Sequence, residues 1–554
     1  MKYRLPNRGA YSIDRKRLQN FIKKRLLLKM HSDSYHLRSV PFLFIFLLVL
    51  LNLLSPSGVI FAQEEEVPRW SEPIPLSSKR PSSWFPDIAV DSNGGVHVVW
   101  SSKVELESQD ETERAIDAYD VVMYTYSPNG IDWEEPFDLI AIPATIEGVG
   151  GYEVTRPSII FDDEDKLHLV FRRSSVQYSQ ASLEGIREAA NWLEPRQMSS
   201  TSGYYSDIAI DGNNVLHLVY TQNVPTADCP ICYHVLYRWS DNDGLSWSNV
   251  TDVSLLPIGA VKPQILIDDR GIIHIVWEAG RGGGLGQLGK PTDVRYSASH
   301  NGGQLWTLPL EFYIPNGQAA NVTISQDGDG QLVVVWLDTI NNGVFYQLSS
   351  DEGDSWSTPE QIPDVIGIDS RLDTYDLIMD RAGNIHLVMV GRRESNQLPL
   401  ELFHLVWMPY EDVWTEPEVI ASFTGDIPEW PRISLGEGDR LHVVWFVRDK
   451  AHVFESDRGR YQIWYAQSQP IDPGFLDAPE PTAAAVTESI NESSGEVRTP
   501  QTATISATEA LNLPTDVNPN MVTSESGALS LVVLSLIPVF LFMGLIVVIL
   551  YVRR

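Results

Sequence analysis

The chain has 554 residues, with 41 Lys and Arg against 73 Asp and Glu and a formal net charge of -32. A hydrophobic content of 43% and 16 Trp residues indicate a large packed core rather than a disordered chain. So acidic a surface repels phosphate backbones and anionic lipid. The composition therefore all but excludes nucleic-acid binding by the main body.

The first predicted element is a membrane-targeting segment within residues 1–62. Residues 1–39 hold 11 Lys and Arg and 2 acidic residues, and the almost wholly apolar run Val40–Leu54 follows. Small and turn-forming residues then lead to Gln63, which is the order of a secretory signal peptide. Translation from Met30 instead of Met1 would give the basic region an ordinary length. An uncleaved signal anchor is the alternative.

The next segment, residues 67–475, is built from one repeated unit. An apolar strand, a turn rich in Asp and Gly, and a second strand that usually carries His recur along it. Seven copies occur, at 85–100, 156–171, 205–220, 262–277, 321–336, 375–390 and 431–445. A second half-repeat supplies two further strands, and its last strand starts at a Trp in each copy: Trp70, Trp133, Trp192, Trp247, Trp306, Trp356 and Trp414.

Four strands per repeat predict an all-β fold, a seven-bladed β-propeller with four-stranded antiparallel blades. The repeat begins with a lone Trp-led strand at Trp70 and ends with a lone third strand at Tyr461–Gln469. We expect these two strands to pair and complete the seventh blade, because closure of the ring removes open sheet edges.

The turns between the third and fourth strands share a pattern of Ser, Asp or Asn, Gly and Trp. Its residues are Ser240, Asn242, Gly244 and Trp247; Ser299, Asn301, Gly303 and Trp306; and Ser349, Asp351, Gly353 and Trp356. This pattern resembles the Asp-box, or BNR repeat, of sialidase-type propellers. The resemblance implies that the box is structural and lies on the face opposite the active site. None of the inner strands begins with the Phe/Tyr-Arg-Ile-Pro segment of those enzymes, and Arg156-Pro157 is the nearest match.

Long insertions are predicted on the face opposite the Asp-boxes, where binding sites are usually built on a rigid scaffold. They are 103–119, 140–152, 224–233, 280–292, 392–398 and 448–460. Arginine there suits a carboxylated sugar, paired carboxylates suit glycosidic cleavage, and aromatic rings suit stacking. The catalytic candidates are Arg156, Arg172, Arg371, Arg392, Glu278, Asp338 and Tyr204. The ligand-binding candidates are Trp84, Glu153, Arg173, Tyr205, Asp373, Arg393 and Trp430. The alternative is that these residues are solvated rim charges and ion pairs between blades.

Two further patterns have structural interpretations. Six histidines recur at one place in the repeat, at 97, 168, 217, 274, 386 and 442, which spreads them around a ring instead of gathering them at a metal. Cys229 and Cys232 are predicted to form a local disulfide, since zinc would need two more ligands nearby. No cofactor is expected. Acidic turns such as Asp327–Gly330 could hold Ca²⁺, although hairpin turns contain Asp and Gly in any case.

The last elements are a stalk and an anchor. Residues 476–527 are rich in Thr, Ser, Pro and Glu and predict a disordered stalk. Residues 528–552 carry no charge and predict a transmembrane helix, with Arg553 and Arg554 on the cytoplasmic side. The prediction is a membrane-anchored, extracytoplasmic propeller that binds a glycan or a surface protein without catalysis. The alternatives are an exo-α-sialidase and a structural component of the cell envelope.

Overall fold

The computed structural model describes most of the predicted propeller region. The described residues are 69–79, 82–105, 118–143, 155–225, 227, 229, 231–255, 259–280, 292–312, 318–370, 372–393, 399–449 and 461–470. They lie in the first of two compact units, Met1–Pro481 and Thr482–Arg554. The predicted signal segment, stalk and C-terminal helix lie outside them. Within the described ranges, no helix is long and apolar enough to cross a bilayer.

The described residues form an all-β propeller of antiparallel sheets, with two short 3-10 turns at Ala189–Asn191 and Glu437–Asp439. The first four sheets each contain four strands that follow one another along the chain. Their strands are β2 (Ser83–Val90), β3 (Val96–Glu105), β4 (Ala118–Ser127) and β5 (Phe137–Pro143); β6 (Ser158–Phe161), β7 (Lys166–Arg173), β8 (Ser175–Ser182) and β9 (Arg196–Gln197); β10 (Gly203–Ile210), β11 (Leu216–Asn223), β12 (Tyr233–Ser240) and β13 (Thr251–Asp252); and β14 (Ala260–Ile267), β15 (Ile273–Ala279), β16 (Asp293–Ser299) and β17 (Leu310–Glu311).

The next two repeats share one sheet of nine strands. These strands are β18 (Ala319–Gln326), β19 (Leu332–Asp338), β20 (Gly343–Ser349), β21 (Glu360–Gly367), β22 (Asp376–Met379), β23 (Ile385–Arg392), β24 (Leu400–Met408), β25 (Val413–Trp414) and β26 (Glu418–Phe423). The predicted count of seven separate four-stranded blades is therefore wrong. Five sheets are separate four-stranded blades, and the sixth sheet has nine strands.

Two glycines explain the merger. The end of β21 reaches β23, where Ile366 pairs with Arg392 and Gly367 pairs with Gly391. A Cβ on Gly391 would lie 2.7 Å from the Ile366 carbonyl oxygen, and a Cβ on Gly367 would lie 2.4 Å from Leu337. Glycine at both positions lets the two backbones approach closely enough to pair.

The fifth four-stranded sheet closes the ring, as the sequence predicts. It contains β27 (Asp426–Leu435), β28 (Leu441–Asp449), β29 (Tyr461–Gln467) and, at its outer edge, the N-terminal strand β1 (Ile74–Pro75). Ile74 pairs with Tyr465 and Pro75 with Trp464. The repeated hairpin occurs seven times in the described residues, and its first strands are β2, β6, β10, β14, β18, β22 and β27. These seven inner strands line an axial channel.

The repeated histidines link the hairpin turns to tyrosines inside the sheets. His168 Nε2 lies 3.1 Å from Asp162 Oδ2, and its Nδ1 lies 2.7 Å from the Tyr178 hydroxyl. The same histidine–tyrosine bond occurs at His97, His217, His274 and His442. All of these histidines are buried, so the motif supplies buried hydrogen bonds rather than a site open to solvent.

Each Asp-box turn packs on the tyrosine of the preceding sheet. In the box at Ser240, the Gly244 amide donates to Ser240 Oγ at 2.9 Å, and the Ser246 amide donates to Asn242 Oδ1 at 2.9 Å. Trp247 meets the Tyr178 ring edge to face at 5.1 Å. The Ser299 and Ser349 boxes repeat this geometry on Tyr237 and Tyr296. The boxes therefore join neighbouring sheets.

One repeat replaces the tyrosine by a second histidine. His386 Nδ1 lies 2.9 Å from His404 Nε2, and His404 Nδ1 lies 3.2 Å from Glu418 Oε2. Burial, with the nearby His386 and Arg69, lowers the pKa of His404 to about 3. His404 therefore stays neutral in the folded protein at pH values where an unfolded histidine is charged.

Replacing Gly244 by Ala should destabilise the fold more than replacing Gly302 by Ala. Both glycines have positive φ, +70° and +69°, so both substitutions carry similar backbone strain. A Cβ on Gly244 would lie 2.1 Å from the Tyr178 hydroxyl, whereas a Cβ on Gly302 meets nothing within 4 Å. We expect an extra loss of about 1–3 kcal/mol for Gly244→Ala from overpacking, measured by chemical denaturation. Equal losses would show that the contact with Tyr178 is unimportant.

Replacing His404 by Tyr should make stability less sensitive to acid. The folded pKa of His404 lies below the unfolded value, so its contribution to stability is lost as the pH falls from about 6.5 towards 3. A tyrosine hydroxyl could donate to His386, as in the other repeats. We expect the slope of unfolding free energy against pH to flatten between pH 6 and 4, by up to about 1.4 kcal/mol per pH unit. The exposed His300, replaced by Gln, is the control and should leave the slope unchanged.

Candidate functional site

The candidate site lies where the seven inner strands begin, on the face opposite the Asp-boxes. Each inner strand contributes one residue to the rim around the mouth of the axial channel. The residue two positions later in the same strand faces the axis. These mouth residues are Phe85, Arg156, Tyr205, Lys262, Asn321, Thr374 and Trp430. The corresponding axial residues are Asp87, Ser158, Asp207, Gln264, Thr323, Asp376 and Arg432. Ten of these fourteen residues, all except Phe85, Asn321, Thr323 and Asp376, line a small depression at the mouth.

The backbone is strained at the mouth. Five mouth residues other than glycine have positive φ: 53° at Phe85, 41° at Arg156, 47° at Lys262, 54° at Asn321 and 58° at Trp430. The strand register shifts at four of these positions, as in a β-bulge, which redirects side chains. Such strain costs about 1–3 kcal/mol per residue and concentrates at functional sites. Its repetition around one ring marks the mouth as the candidate site.

Arg156 lies among aromatic rings at this mouth. Its guanidinium carbon is 4.5 Å from the Phe85 ring centroid, 4.1 Å from that of Tyr204 and 4.9 Å from that of Tyr205. Its Nη2 donates to the Tyr204 hydroxyl at 3.2 Å. The guanidinium of Arg172 lies on the same Tyr204 ring, at 4.8 Å. Two cations are therefore held beside one half-buried phenol.

Further aromatic side chains continue from this cluster across the mouth. Phe85 meets Trp430 edge to face at 4.8 Å, and Trp430 stacks on Tyr205 at 6.2 Å. Trp84 meets Tyr461 at 5.3 Å. We name this set the aromatic band: Tyr461, Trp84, Phe85, Trp430, Tyr205 and Tyr204. Tyr461, Trp84, Trp430 and Tyr204 are partly exposed, and Phe85 and Tyr205 lie buried.

A buried polar network lies on another side of the mouth. Lys262 Nζ donates to Glu278 Oε1 at 3.1 Å and to the Asp373 carbonyl at 2.7 Å. Glu278 Oε1 also accepts from the Asn321 amide at 2.7 Å, and Asp373 Oδ1 accepts from the Trp430 amide at 3.0 Å. Burial raises the pKa of Asp373 well above its usual range. These carboxylates hold the strained mouth residues in place.

Glu429, beside the mouth, and the candidate Asp338 are also engaged in the protein. Glu429 is fully buried and receives two bonds from Arg448, at 2.8 and 2.9 Å, and one from Ser370 Oγ. Asp338 is buried and accepts from the Ile340 amide and from Asn341 Nδ2 in the adjacent turn. Neither carboxylate presents an exposed oxygen pair for acid–base work on a bound sugar.

Arg432 lies on the axis below the mouth. Its Nε is 2.9 Å from Asp87 and 3.6 Å from Asp376, and its Nη2 is 3.8 Å from Asp207. The three carboxylates come from three different sheets. Burial raises the pKa of Asp376 to about 6, although Arg432 opposes the rise, and Asp87 and Asp207 add to it. One cation thus holds three acidic groups across the ring.

The structure gathers part of the predicted site and disperses the rest. Arg156, Arg172, Tyr204, Tyr205, Trp84, Trp430, Glu278 and Asp373 lie at or beside the mouth. Arg393 instead donates to the Pro417 carbonyl and lies near Glu401 on the outer strands. Arg173 is exposed at the end of β7, and Arg392 is half-buried at the end of β23. Glu153 and Arg371 lie outside the described residues.

The disulfide between Cys229 and Cys232 stays a prediction. In the structure the two side chains are thiols that share a hydrogen bond. Cys232 is fully buried, and burial, together with the hydrogen bond to Cys229, raises the pKa of its thiol to about 12. A thiol with so high a pKa is a poor nucleophile and a poor metal ligand at neutral pH.

Sequence reasoning missed Phe85, Lys262 and Arg432. A signal was present, because Phe85, Arg156, Lys262 and Trp430 are each followed by Pro at the same position of the repeat. The role of Arg432 carried no such signal, since its three partners lie 56 residues or more away along the chain.

Replacing Asp376 by Asn should stabilise the protein at neutral pH. Because the folded pKa of Asp376 lies above the unfolded value, stability is lost as the pH rises from about 4 through 6. The variant removes that loss while Asp87 and Asp207 still neutralise Arg432. We expect a higher melting temperature at pH 7.5 and no difference from the wild type near pH 4, by scanning calorimetry. The exposed Asp241, replaced by Asn, should have no such pH-dependent effect; a constant difference at all pH values would contradict the assignment.

The similarities of this chain to known proteins lie among solved structures. No protein-family model matches the chain, and no curated protein matches it. Among solved structures, an ulvan lyase of a polysaccharide lyase family is 14% identical, with a TM-score of 0.46 over 70% of this chain and 92% of that one. A protein of unknown function from Dyadobacter fermentans is 11% identical, with a TM-score of 0.44; the match covers 73% of this chain and 100% of that protein. The NanB sialidase from Streptococcus pneumoniae is 12% identical, with a TM-score of 0.40 over 71% and 69%. The assignment of this chain as an all-β propeller follows from its own sheet topology.

Proposed function

We propose that this protein binds a glycan at the mouth of the propeller and does not cleave it. The aromatic band carries the proposal, because partly exposed Trp and Tyr rings combine a large apolar face with a polar edge. Sugar rings offer apolar C–H faces and hydroxyl edges that match such surfaces. A concave site lined by aromatic side chains with a few placed polar groups is the usual form of a small-molecule site.

The state of the carboxylates supports binding without catalysis. Glycoside hydrolysis needs two carboxyl groups that face the scissile bond, one as acid and one as base or nucleophile. Glu278, Asp373, Glu429 and Asp338 are all buried and bonded to structural partners. Each would have to exchange these partners for substrate before it could transfer a proton.

The two arginines at Tyr204 favour a sugar with an acidic group. Arg172 donates from Nε to the Gly203 carbonyl at 3.0 Å, and its two Nη groups make no hydrogen bond within the described residues. A planar guanidinium with free donors pairs well with a carboxylate.

We further propose that the propeller lies outside the cell, tethered through residues 476–527 by a helix at 528–552, and that its ligand is a glycan of the surface or surroundings.

Replacing Trp84 and Tyr204 singly by Ala should weaken glycan binding by about fivefold or more, since each removes one stacking face worth about 1 kcal/mol or more. Binding of the purified full-length protein would be measured on an array of neutral and carboxylated glycans and then by calorimetry. The control is Tyr410→Ala, an exposed aromatic in the turn between β24 and β25, on the opposite face.

Two results would overturn the proposal. The first is the absence of binding to any arrayed glycan. The second is steady turnover of a fluorogenic sialoside that Arg156→Ala abolishes, which would make the protein an exo-acting hydrolase of sialidase type.

A further inference from the structure

We infer that the ligand of this site is an extended chain of acidic sugars lying along the aromatic band, rather than a single terminal sugar enclosed in a pocket. This inference rests on the proposed glycan binding and adds the length, direction and charge of the ligand.

The first argument is the arrangement of the band. Its members come from β29, β2, β27 and β10, which belong to three different sheets. Ring contacts of 4.8 to 6.2 Å between centroids form two groups, Tyr461 with Trp84 and Phe85 with Trp430, Tyr205 and Tyr204. The two groups adjoin where Trp84 precedes Phe85 in β2. Neighbouring sugar rings in a chain are spaced similarly. The half-buried rings of Tyr461, Trp84, Trp430 and Tyr204 therefore offer stacking positions in series across the mouth.

The second argument is the shape of the depression beneath the band. Its floor is closed by Arg432, which is fixed by carboxylates from three sheets. Its wall at the Arg156 side is already filled, because that guanidinium occupies the space between Phe85, Tyr204 and Tyr205. A buried subsite for one complete sugar would need an enclosing cavity. Stacking on an open surface gains affinity by adding successive contacts, as on aromatic platforms for single-stranded nucleic acids.

The third argument is the uneven charge along the band. Its Tyr204 end carries Arg156 and Arg172. At its other end, the described cation that acts on Tyr461 is Arg448, which is neutralised by two bonds to Glu429. Within the part of the chain that the structure describes, an acidic group is therefore favoured at the Tyr204 end, and the Tyr461 end offers ring faces for stacking. This asymmetry gives the bound chain a direction.

The test uses oligomers of α-1,4-linked galacturonic acid, from monomer to hexamer, with malto-oligosaccharides of equal length as the neutral series. Binding to the full-length protein would be measured by calorimetry. We expect Kd to fall at least about tenfold from the monomer to the hexamer, as each added ring gains a stacking position. We also expect the galacturonate hexamer to bind more tightly than maltohexaose.

Variants at the two ends of the aromatic band separate the effect of ligand length from the effect of ligand charge. Tyr461→Ala should weaken hexamer binding several-fold and leave monomer binding unchanged, whereas its matched control Tyr461→Phe, which keeps the ring, should bind as the wild type does. Arg172→Gln should weaken every galacturonate oligomer and leave the neutral series unchanged. Melting curves of each variant establish that the protein is folded.

The outcomes distinguish the two proposals. The extended-chain inference would be overturned if monomer and hexamer bound with equal affinity and Tyr461→Ala did not weaken hexamer binding. The proposed glycan binding would still stand. Equal affinity for the acidic and neutral series would overturn the acidic ligand. Failure to bind any arrayed glycan, with binding of a peptide library at the same residues, would overturn the proposed function itself.

Discussion

Pairing of β1 with β29 joins residues from the two ends of the described chain, and the ring depends on it. Ile74 pairs with Tyr465, Trp70 bridges to Ser468, and the Gln469 amide donates to the Arg69 carbonyl at 2.6 Å. Closing so long a loop costs little more entropy than closing a short one, because the cost grows with the logarithm of length. A few hydrogen bonds supported by packing can therefore hold the ring shut.

That packing lies on both sides of the closing sheet. On one side, Phe85, Ile88 and Trp100 of the first sheet contact Val444, Phe446 and Tyr465. Burial of large apolar and aromatic side chains contributes about 1.5–3 kcal/mol each. These contacts hold the closing sheet against the first sheet and position β27, which supplies Trp430 and Arg432 to the candidate site.

Ring closure also explains the electrostatics of the axis. Seven inner strands begin around one opening, so polar residues two positions along each strand converge on the axis. Asp87, Asp207 and Asp376 repel one another there, and Arg432 offsets that repulsion. Arg432 has no substitute within the ring of axial residues. The positive φ values above it indicate that the same convergence aims bulky side chains at the mouth against their backbone preference.

The sequence by itself determined the repeat, the all-β propeller class, the closing pair of strands and the face on which the candidate residues lie. Each follows from local periodicity and from turn residues, which act over a few positions. It also marked Arg156, Tyr204, Tyr205 and Trp430 as candidates, because the start of an inner strand can be read from the repeat.

The tertiary structure alone decided the rest. It merged two repeats into one sheet through Gly367 and Gly391 and turned Arg393 outward. It placed Arg156 between three rings and bonded the candidate carboxylates to structural partners. These outcomes depend on distances between residues remote in the chain, such as the 345 positions that separate Arg432 from Asp87. Periodicity within a repeat carries no information about such distances, which are set when the sheets pack around the axis.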